Sequence, residues 1–555
     1  MKRDLVELQS QTYDVLVVGG GIYGASLVRE AAAQGLNAAL IEQADFGAAT
    51  SANSLKIIHG GLRYLQQADL PRVLESIRER SLLLKTAPHL VAPFPCLMPT
   101  TRHLMKSRLV MQCGLLLNDI LSFRRNAGLC RSRRIPCGRT LSRSALLERV
   151  PQLASEPVTG AAMWTDAFVF DSERLPLLMI QAAVRSGAHV ANYVRADSFL
   201  LDESQRRVLG VRATDVLTGR PLELRAALVI NASSAWSGAL LKTLPRPVQE
   251  TKLHLALAVN FILKPQPVQA FGMGLQPRGS HRLYFFAPWR GHTIAGTYYR
   301  NFEGAPTTAD IVTEADVEDF LQSLNQCLPG VHFQRSDIAA IHAGILPCAK
   351  PADPQHEPAL LRHSHITDHA RTDGLEGLMS VCSIKYTTAR GVAEEVIRRA
   401  ARKLGKATRS SPTRRDCLPG GDLPDPALRE RELADAHPEW PADEIHRLVS
   451  LYGSELEVLL KESPSGSPDD LFRAECLRAI RDEMPQSLGD LLFRRIGLAG
   501  AGAPPPDRVR AAATHMAAEC GWSDERTRAE IQAVETARSL FLPAVAQGPS
   551  AASVS

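Results

Sequence analysis

None of the ten cysteines forms a Cys-x-x-Cys pair, and from Cys96 to Cys520 their spacing follows no pattern. Metal-ligand spacing and a compact disulfide framework are therefore excluded, and a reducing, cytosolic interior is the expected setting. Long hydrophobic runs are also missing. No stretch of about 18 uncharged apolar residues occurs, so no membrane-spanning helix is expected. The opening residues Met1 to Glu7 carry acids and no apolar core of signal-peptide length. Neither sign of charge dominates: Lys and Arg number 64 against 59 Asp and Glu, a net of +5. Nucleic-acid binding, which concentrates basic charge on one element, is not expected. What remains is an ordinary soluble composition, 45% hydrophobic and 22% charged over 555 residues, enough for several domain-sized units.

The first informative segment runs from Tyr13 to Ala25. The β-branched run Val15-Leu16-Val17-Val18 ends in Gly19-Gly20-Gly21-Ile22-Tyr23-Gly24, Ala- and Leu-rich sequence follows to Gly35, and Asn37 to Ile41 reads as a second buried strand closed by Glu42. This is a strand–helix–strand unit with a Gly-x-Gly-x-x-Gly turn, the fingerprint of dinucleotide binding. Gly19 permits the tight turn, Gly21 lets backbone approach a pyrophosphate, and Gly24 lets helix pack on strand. The helix then turns its positive end toward the diphosphate. Glu42 is placed to accept from ribose hydroxyls.

Further strands are expected near residues 188–200, 207–211 and 228–232, and a hairpin joins Arg282–Ala287 to His292–Thr297. The fold class is α/β: a Rossmann-like nucleotide domain interleaved with an antiparallel-sheet domain, followed by an all-helical C-terminal domain. Residues 1–11 form an N-terminal extension, 12–406 the two interleaved domains, 407–426 a polar, Pro/Gly-rich linker, 427–541 the helical domain and 542–555 a disordered tail.

The run Thr50-Ser51-Ala52-Asn53-Ser54-Leu55-Lys56-Ile57-Ile58-His59-Gly60-Gly61-Leu62-Arg63-Tyr64-Leu65 resembles the signature of FAD-dependent glycerol-3-phosphate dehydrogenases, within the D-amino-acid-oxidase-like flavoproteins. Asp171 with Arg174, Asn231-Ala232, Pro288-Trp289, Gly296-Thr297, Gly344 with Pro347, Lys385-x-Thr387-Thr388-x-Arg390, Leu418-Pro419-Gly420-Gly421 and Arg494-Arg495 follow in that family's order. The resemblance spans roughly residues 12 to 530. It implies FAD as cofactor, bound by Gly19, Gly21, Gly24 and Glu42 at one end and by Ser51, Ser54, Lys56, His59, Gly60, Gly61, Lys385 and Thr387 near the ring. It implies no metal.

The same resemblance implies oxidation of sn-glycerol 3-phosphate to dihydroxyacetone phosphate, with electrons passed to membrane quinone and a homodimer compatible with it. His59 or His254 is the expected base, Arg63 and Lys385 the anion clamps, and Tyr64 a substrate neighbour. Trp236 and Trp289 read as core.

The sequence departs from the pattern in the pocket. The family's Gly-Val-Arg-Pro stands here as Gly344-Ile345-Leu346-Pro347, and the missing pocket arginine is assigned to Ile345. Asn-Ala-x-Gly-x-Trp has become Asn231-Ala232-Ser233-Ser234-Ala235-Trp236, Gly-Thr-Thr-Asp has become Gly296-Thr297-Tyr298-Tyr299, and Lys-Gly-x-His has become Lys252-Leu253-His254. Arg300 and His342 are the residues expected to supply compensating charge toward substrate. Two alternatives stay open: a flavoenzyme for another hydroxy acid or amine, and a flavin-binding homologue without catalysis.

Between residues 102 and 139, Arg102, Lys106, Arg108, Arg124, Arg125, Arg131, Arg133, Arg134 and Arg139 surround the apolar stretch Leu109 to Leu117, offset only by Asp119. This suits an interfacial helix on anionic lipid. The expected location is cytoplasmic, peripheral on the cytoplasmic face of the inner membrane.

Overall fold

The computed structural model describes residues 1–65, 67–249, 254–280, 282–306, 311–349, 358–463 and 465–541. The expected tail, 542–555, lies outside the described residues, as do Lys252 and Leu253.

β1 (Thr12–Val18), α1 (Ile22–Ala33) and β2 (Ala38–Ile41) form the expected crossover unit. β1 lies parallel to β2 on one side and to Pro221–Asn231 on the other, with Leu378–Cys382 and His189–Ala191 extending the parallel sheet. All four residues of β2 are buried, which is why the run is continuously apolar rather than alternating. The sheet also carries an antiparallel meander, in which Val194–Leu201 pairs with Val208–Asp215 and that strand with Pro221–Asn231.

A second, nine-stranded sheet is antiparallel except where Gly272–Leu275 meets Val91–Thr100. The expected hairpin is there, with Tyr284–Trp289 against His292–Phe302. On its far edge, His254–Leu263 lies between His292–Phe302 and Ile338–Cys348. Segments of this sheet interrupt the first one in the chain order, so the two domains are interleaved.

From Pro426 onward the chain is helical, and the run Ala503-Pro504-Pro505 ends a loop before the helix Pro506–Cys520. The preceding linker is packed rather than free. Leu418 is buried and its N–H donates to Thr86 O at 2.8 Å, while Ser411 and Thr413 donate to buried Glu30. The N-terminal extension is likewise docked: Leu5–Ser10 is a helix that buries Leu8 against the parallel sheet.

Candidate functional site

A cavity of about 1360 Å³ opens between the two sheets. At one end stands the glycine turn. Gly19 has φ +107°, a conformation that favours glycine. A Cβ on Gly24 would fall 1.7 Å from Gly19 O, so α1 crosses β1 at a distance only glycine allows. Gly20 N–H and Ala44 N–H donate to the two Glu42 carboxylate oxygens at 2.6 and 2.9 Å. Burial raises the Glu42 pKa, opposed by those two backbone donors. Glu42 therefore braces the turn as well as facing the cavity. Ser51 Oγ accepts from Ile22 N–H at 3.0 Å, at the start of α1, and Ser54 Oγ accepts from Lys56 N–H at 3.2 Å. A glycine turn, a helix N-terminus and a carboxylate at the end of the second strand fit a dinucleotide such as FAD.

The cavity is also lined by His59, its side chain 48% exposed and its Nδ1 3.8 Å from Asp166 Oδ2. Asp166 is buried and accepts from Arg80 at 2.8 Å, Gly60 N–H at 2.6 Å and Trp164 Nε1 at 2.9 Å. Burial alone would raise its pKa. The His59 contact and the Arg80 charge outweigh that and hold the carboxyl below the usual range. An ionised aspartate facing Nδ1 leaves Nε2 directed elsewhere, the arrangement of an oriented base. His59 N–H donates to Thr387 Oγ1 at 3.1 Å, so Thr387 positions the His59 backbone. Gly60 is required beside it, because a Cβ there would lie 2.1 Å from Arg80.

Cations line the same cavity. The Tyr64 ring has Arg72 Cζ at 4.0 Å and Lys385 Nζ at 4.2 Å from its centroid. Burial and the neighbouring Arg72 charge lower the Lys385 pKa to about 8, against the opposing pull of Glu75 and Asp69. Arg63 and Arg362 line the same cavity, both exposed.

Arg362 and Asp166 are site residues that sequence reasoning missed. Asp166 stands 107 residues from His59, and no local motif surrounds it. Arg362 follows a segment with no periodic pattern at all.

Several expected placements are corrected. His254 is exposed at the start of its strand, paired in register with Cys348, and does not line the cavity. Of the two candidate bases only His59 is at the site. Arg300 donates to Asp316 at 2.5 Å and to Ile311 O at 3.0 Å, securing the start of the helix Glu314–Cys327 instead of facing substrate. His342 is buried against Trp289, with its Nε2 2.9 Å from Gly500 O, and burial lowers its pKa to about 4. It bridges to the helical domain.

Lys56 borders the cavity, yet its side chain is wholly buried and its ammonium pairs with Glu173 and Ser172, each at 3.0 Å. That charge is taken up by Glu173. The missing arginine also belongs one position on. In the strand Ile338–Cys348, Ile345 is buried in the core while Gly344 and Leu346 face the cavity, as strand alternation requires. Leu346 is the apolar replacement.

The serine substitution is accommodated with some strain: Ser234 keeps φ +52°, a glycine-type backbone, at a cost of about 1–2 kcal/mol. Thr297 and Tyr299 face the cavity, whereas Tyr298 stacks on Phe320 in the core.

Residues 14–399 match the family model for FAD dependent oxidoreductase, and residues 411–527 match the C-terminal domain of alpha-glycerophosphate oxidase. Glycerol-3-phosphate dehydrogenase of Synechocystis sp. is 28% identical, covering 96% of this chain and 97% of its own. The mitochondrial glycerol-3-phosphate dehydrogenase of Bos taurus is 30% identical over 95% of this chain and 72% of its own. The crystal structure of glycerol-3-phosphate dehydrogenase from Bacillus halodurans complexed with FAD superposes with a TM-score of 0.76 over 98% of both chains, at 23% identity.

Proposed function

The chain belongs to the FAD-dependent oxidoreductase family, and from that premise we propose that it oxidises sn-glycerol 3-phosphate to dihydroxyacetone phosphate and passes the electrons to a quinone. The observation that carries this reading is one cavity lined both by the glycine turn and by the His59–Asp166 pair together with the cations Arg63, Lys385 and Arg362. When bound, FAD supplies the hydride acceptor. His59 takes the hydroxyl proton as the carbinol C–H bond breaks, and Asp166 holds the imidazole in orientation. The guanidinium forks of Arg63 and Arg362 suit a phosphate, with Lys385 adding a point charge. Clamping the anionic end fixes the carbinol carbon in one pose. These cations compensate for Leu346.

The test is anaerobic titration of the flavin-loaded protein with sn-glycerol 3-phosphate, following the flavin absorbance. Saturable bleaching is expected. Lys385 is protonated below its pKa of about 8 and neutral above it, so half-saturation should demand more substrate as pH rises through 8. Absence of bleaching, with dithionite still reducing the flavin, would overturn the substrate. Leu346 would then favour the second reading, another hydroxy acid or amine.

A membrane surface is proposed as the route to quinone. Along the helix Arg108–Leu121 and its flanks, Leu104, Leu109, Ile120 and Phe123 are exposed, at 73%, 75%, 60% and 79%. Arg102, Lys106, Arg108, Arg124, Arg131, Arg134 and Arg139 surround them in the open. Arg125 and Arg133 are excepted, being buried on the carbonyls of Ile135 and Pro88. No described helix is long and apolar enough to cross a membrane, so the contact would be interfacial. Lys106 and Met111 line the cavity as well, which puts its mouth beside this face. Flotation with vesicles containing anionic lipid, lost on replacing Leu109 and Phe123 by serine, is expected. Equal flotation of wild type and variant would refute the assignment of this face.

A further inference from the structure

One wall of the cavity is the loop running from Glu42 to Lys56; its first end is fastened directly to the helical domain, and its second end reaches that domain through Trp289. Near the first end, Asp45 is fully buried and accepts three charge-assisted hydrogen bonds and one neutral one: Arg495 donates to both carboxylate oxygens at 2.7 Å, Arg494 Nε donates at 2.6 Å, and Asn192 Nδ2 donates at 3.0 Å. Arg495 is itself fixed, its Nε donating to Glu483 O at 2.9 Å. At the second end, the Lys56 ammonium sits 4.4 Å from the centroid of the Trp289 ring and pairs with Glu173. The opposite edge of this cluster is the helical domain again. His342 packs on Trp289 and bonds to Gly500 O, and Arg290 bridges Asp171 to Gly497 O.

A single segment, Glu483 to Gly500, thus holds one end of the loop directly and the other through His342 and Trp289, although the loop precedes it by more than 400 residues in the sequence. Burying an ion pair is by itself poor evidence of stabilisation, because desolvation offsets the attraction. Bidentate geometry does something else: it fixes position and direction. Loop residues between the two anchors do the work at the cofactor end, where Ser51 caps α1 and Gly47 N–H donates to Gly20 O at 3.0 Å.

We infer that the C-terminal helical domain is the clamp that sets the cofactor-side loop, with Arg494 and Arg495 acting as positioning residues through Asp45. No described residue of the helical domain lines the cavity itself, and the Asp45 contacts tie the domain to a loop that does. Displacing Asp45 would shift the Ser51 cap and the Glu42 brace relative to the glycine turn, loosening the cofactor without removing any group proposed to react. The inference rests on FAD binding by the wild-type chain, and failure of that reading would show as absence of bound flavin in the wild type itself.

The test compares Arg494→Ala, Arg495→Lys and Asp45→Asn with Arg185→Ala in the full chain. Arg185 forms an exposed ion pair with Glu455 that also joins the domains, away from the loop. For each variant the flavin dissociation constant, the visible circular dichroism of bound flavin and the melting temperature are measured. Weakening of flavin binding by tenfold or more, with altered visible dichroism, is expected for the three clamp variants and not for Arg185→Ala. Arg494 is partly exposed and leaves the Arg495 fork intact, so Arg494→Ala should fold even where the others do not. Wild-type flavin affinity and dichroism in Arg494→Ala, whatever its melting temperature, would reduce the clamp to a structural contact and overturn the inference.

Discussion

Replacing His59 by asparagine should lower the rate of flavin reduction by about 10²- to 10⁴-fold, the range set by removal of a positioned general base. Asparagine keeps a polar side chain of similar reach but cannot accept the hydroxyl proton. Affinity should change far less, because the anionic end of the substrate is assigned to Arg63, Arg362 and Lys385 rather than to the imidazole. The expected signature is a large loss in the limiting rate with half-saturation nearly unchanged, read by anaerobic stopped-flow. Asp166→Asn should reduce the rate by a smaller factor, since the imidazole that accepts the proton is kept while the charge that orients it and neutralises buried Arg80 is lost. A His59→Asn enzyme reduced at the wild-type rate would take the base elsewhere. His254 would not be its replacement, because it stands outside the cavity.

The second large effect belongs to Gly24. Alanine there would bring a methyl group to 1.7 Å from Gly19 O and 3.5 Å from Leu40 Cδ1. The first of these atoms is backbone in the turn itself, so the strain has no flexible side chain to absorb it. Ordinary overpacking costs about 1–3 kcal/mol; here relief requires moving the helix N-terminus off the glycine turn, and Gly24→Ala should retain at most a tenth of the wild-type flavin after purification. Gly114 provides the contrast. It lies in the exposed helix Arg108–Leu121 with nothing within 4 Å of an added Cβ, and Gly114→Ala should be neutral or stabilising by up to about 1 kcal/mol. Full flavin content in Gly24→Ala would mean that the turn is not the cofactor's anchor.

The parts of the molecule legible in advance are those whose cause is local. A β-branched run followed by spaced glycines can only be a strand entering a tight turn, and β1, α1 and β2 appear where the spacing puts them. The hairpin at 284–302 and the helical pattern after residue 426 are local in the same sense. The core role of Trp289 was legible too, though its place beneath the Lys56 ammonium was not.

Three of the failures share one form, a charged or titratable residue near a motif assigned to that motif's ligand. Lys56 sits three residues before His59, yet a backbone with φ +63° turns its side chain into the Glu173 pair. Arg300 closely follows the cavity-facing Thr297 and Tyr299, but its side chain anchors a helix. His342 is four residues from the cavity-facing Leu346, and its ring closes a domain contact.

By itself, then, the sequence determined the nucleotide-binding unit, the interleaved α/β architecture with its helical appendix, and the dinucleotide cofactor. These follow from the spacing of apolar residues and glycines along a few tens of residues, where chain geometry leaves few options. Only the tertiary structure decided which charges face the cavity. That depends on partners such as Asp166 for His59 and Arg495 for Asp45, separated by 107 and 450 residues. A buried charge goes wherever a partner satisfies it, and over such distances the partner is set by the packing of whole sheets and domains, which no local pattern encodes.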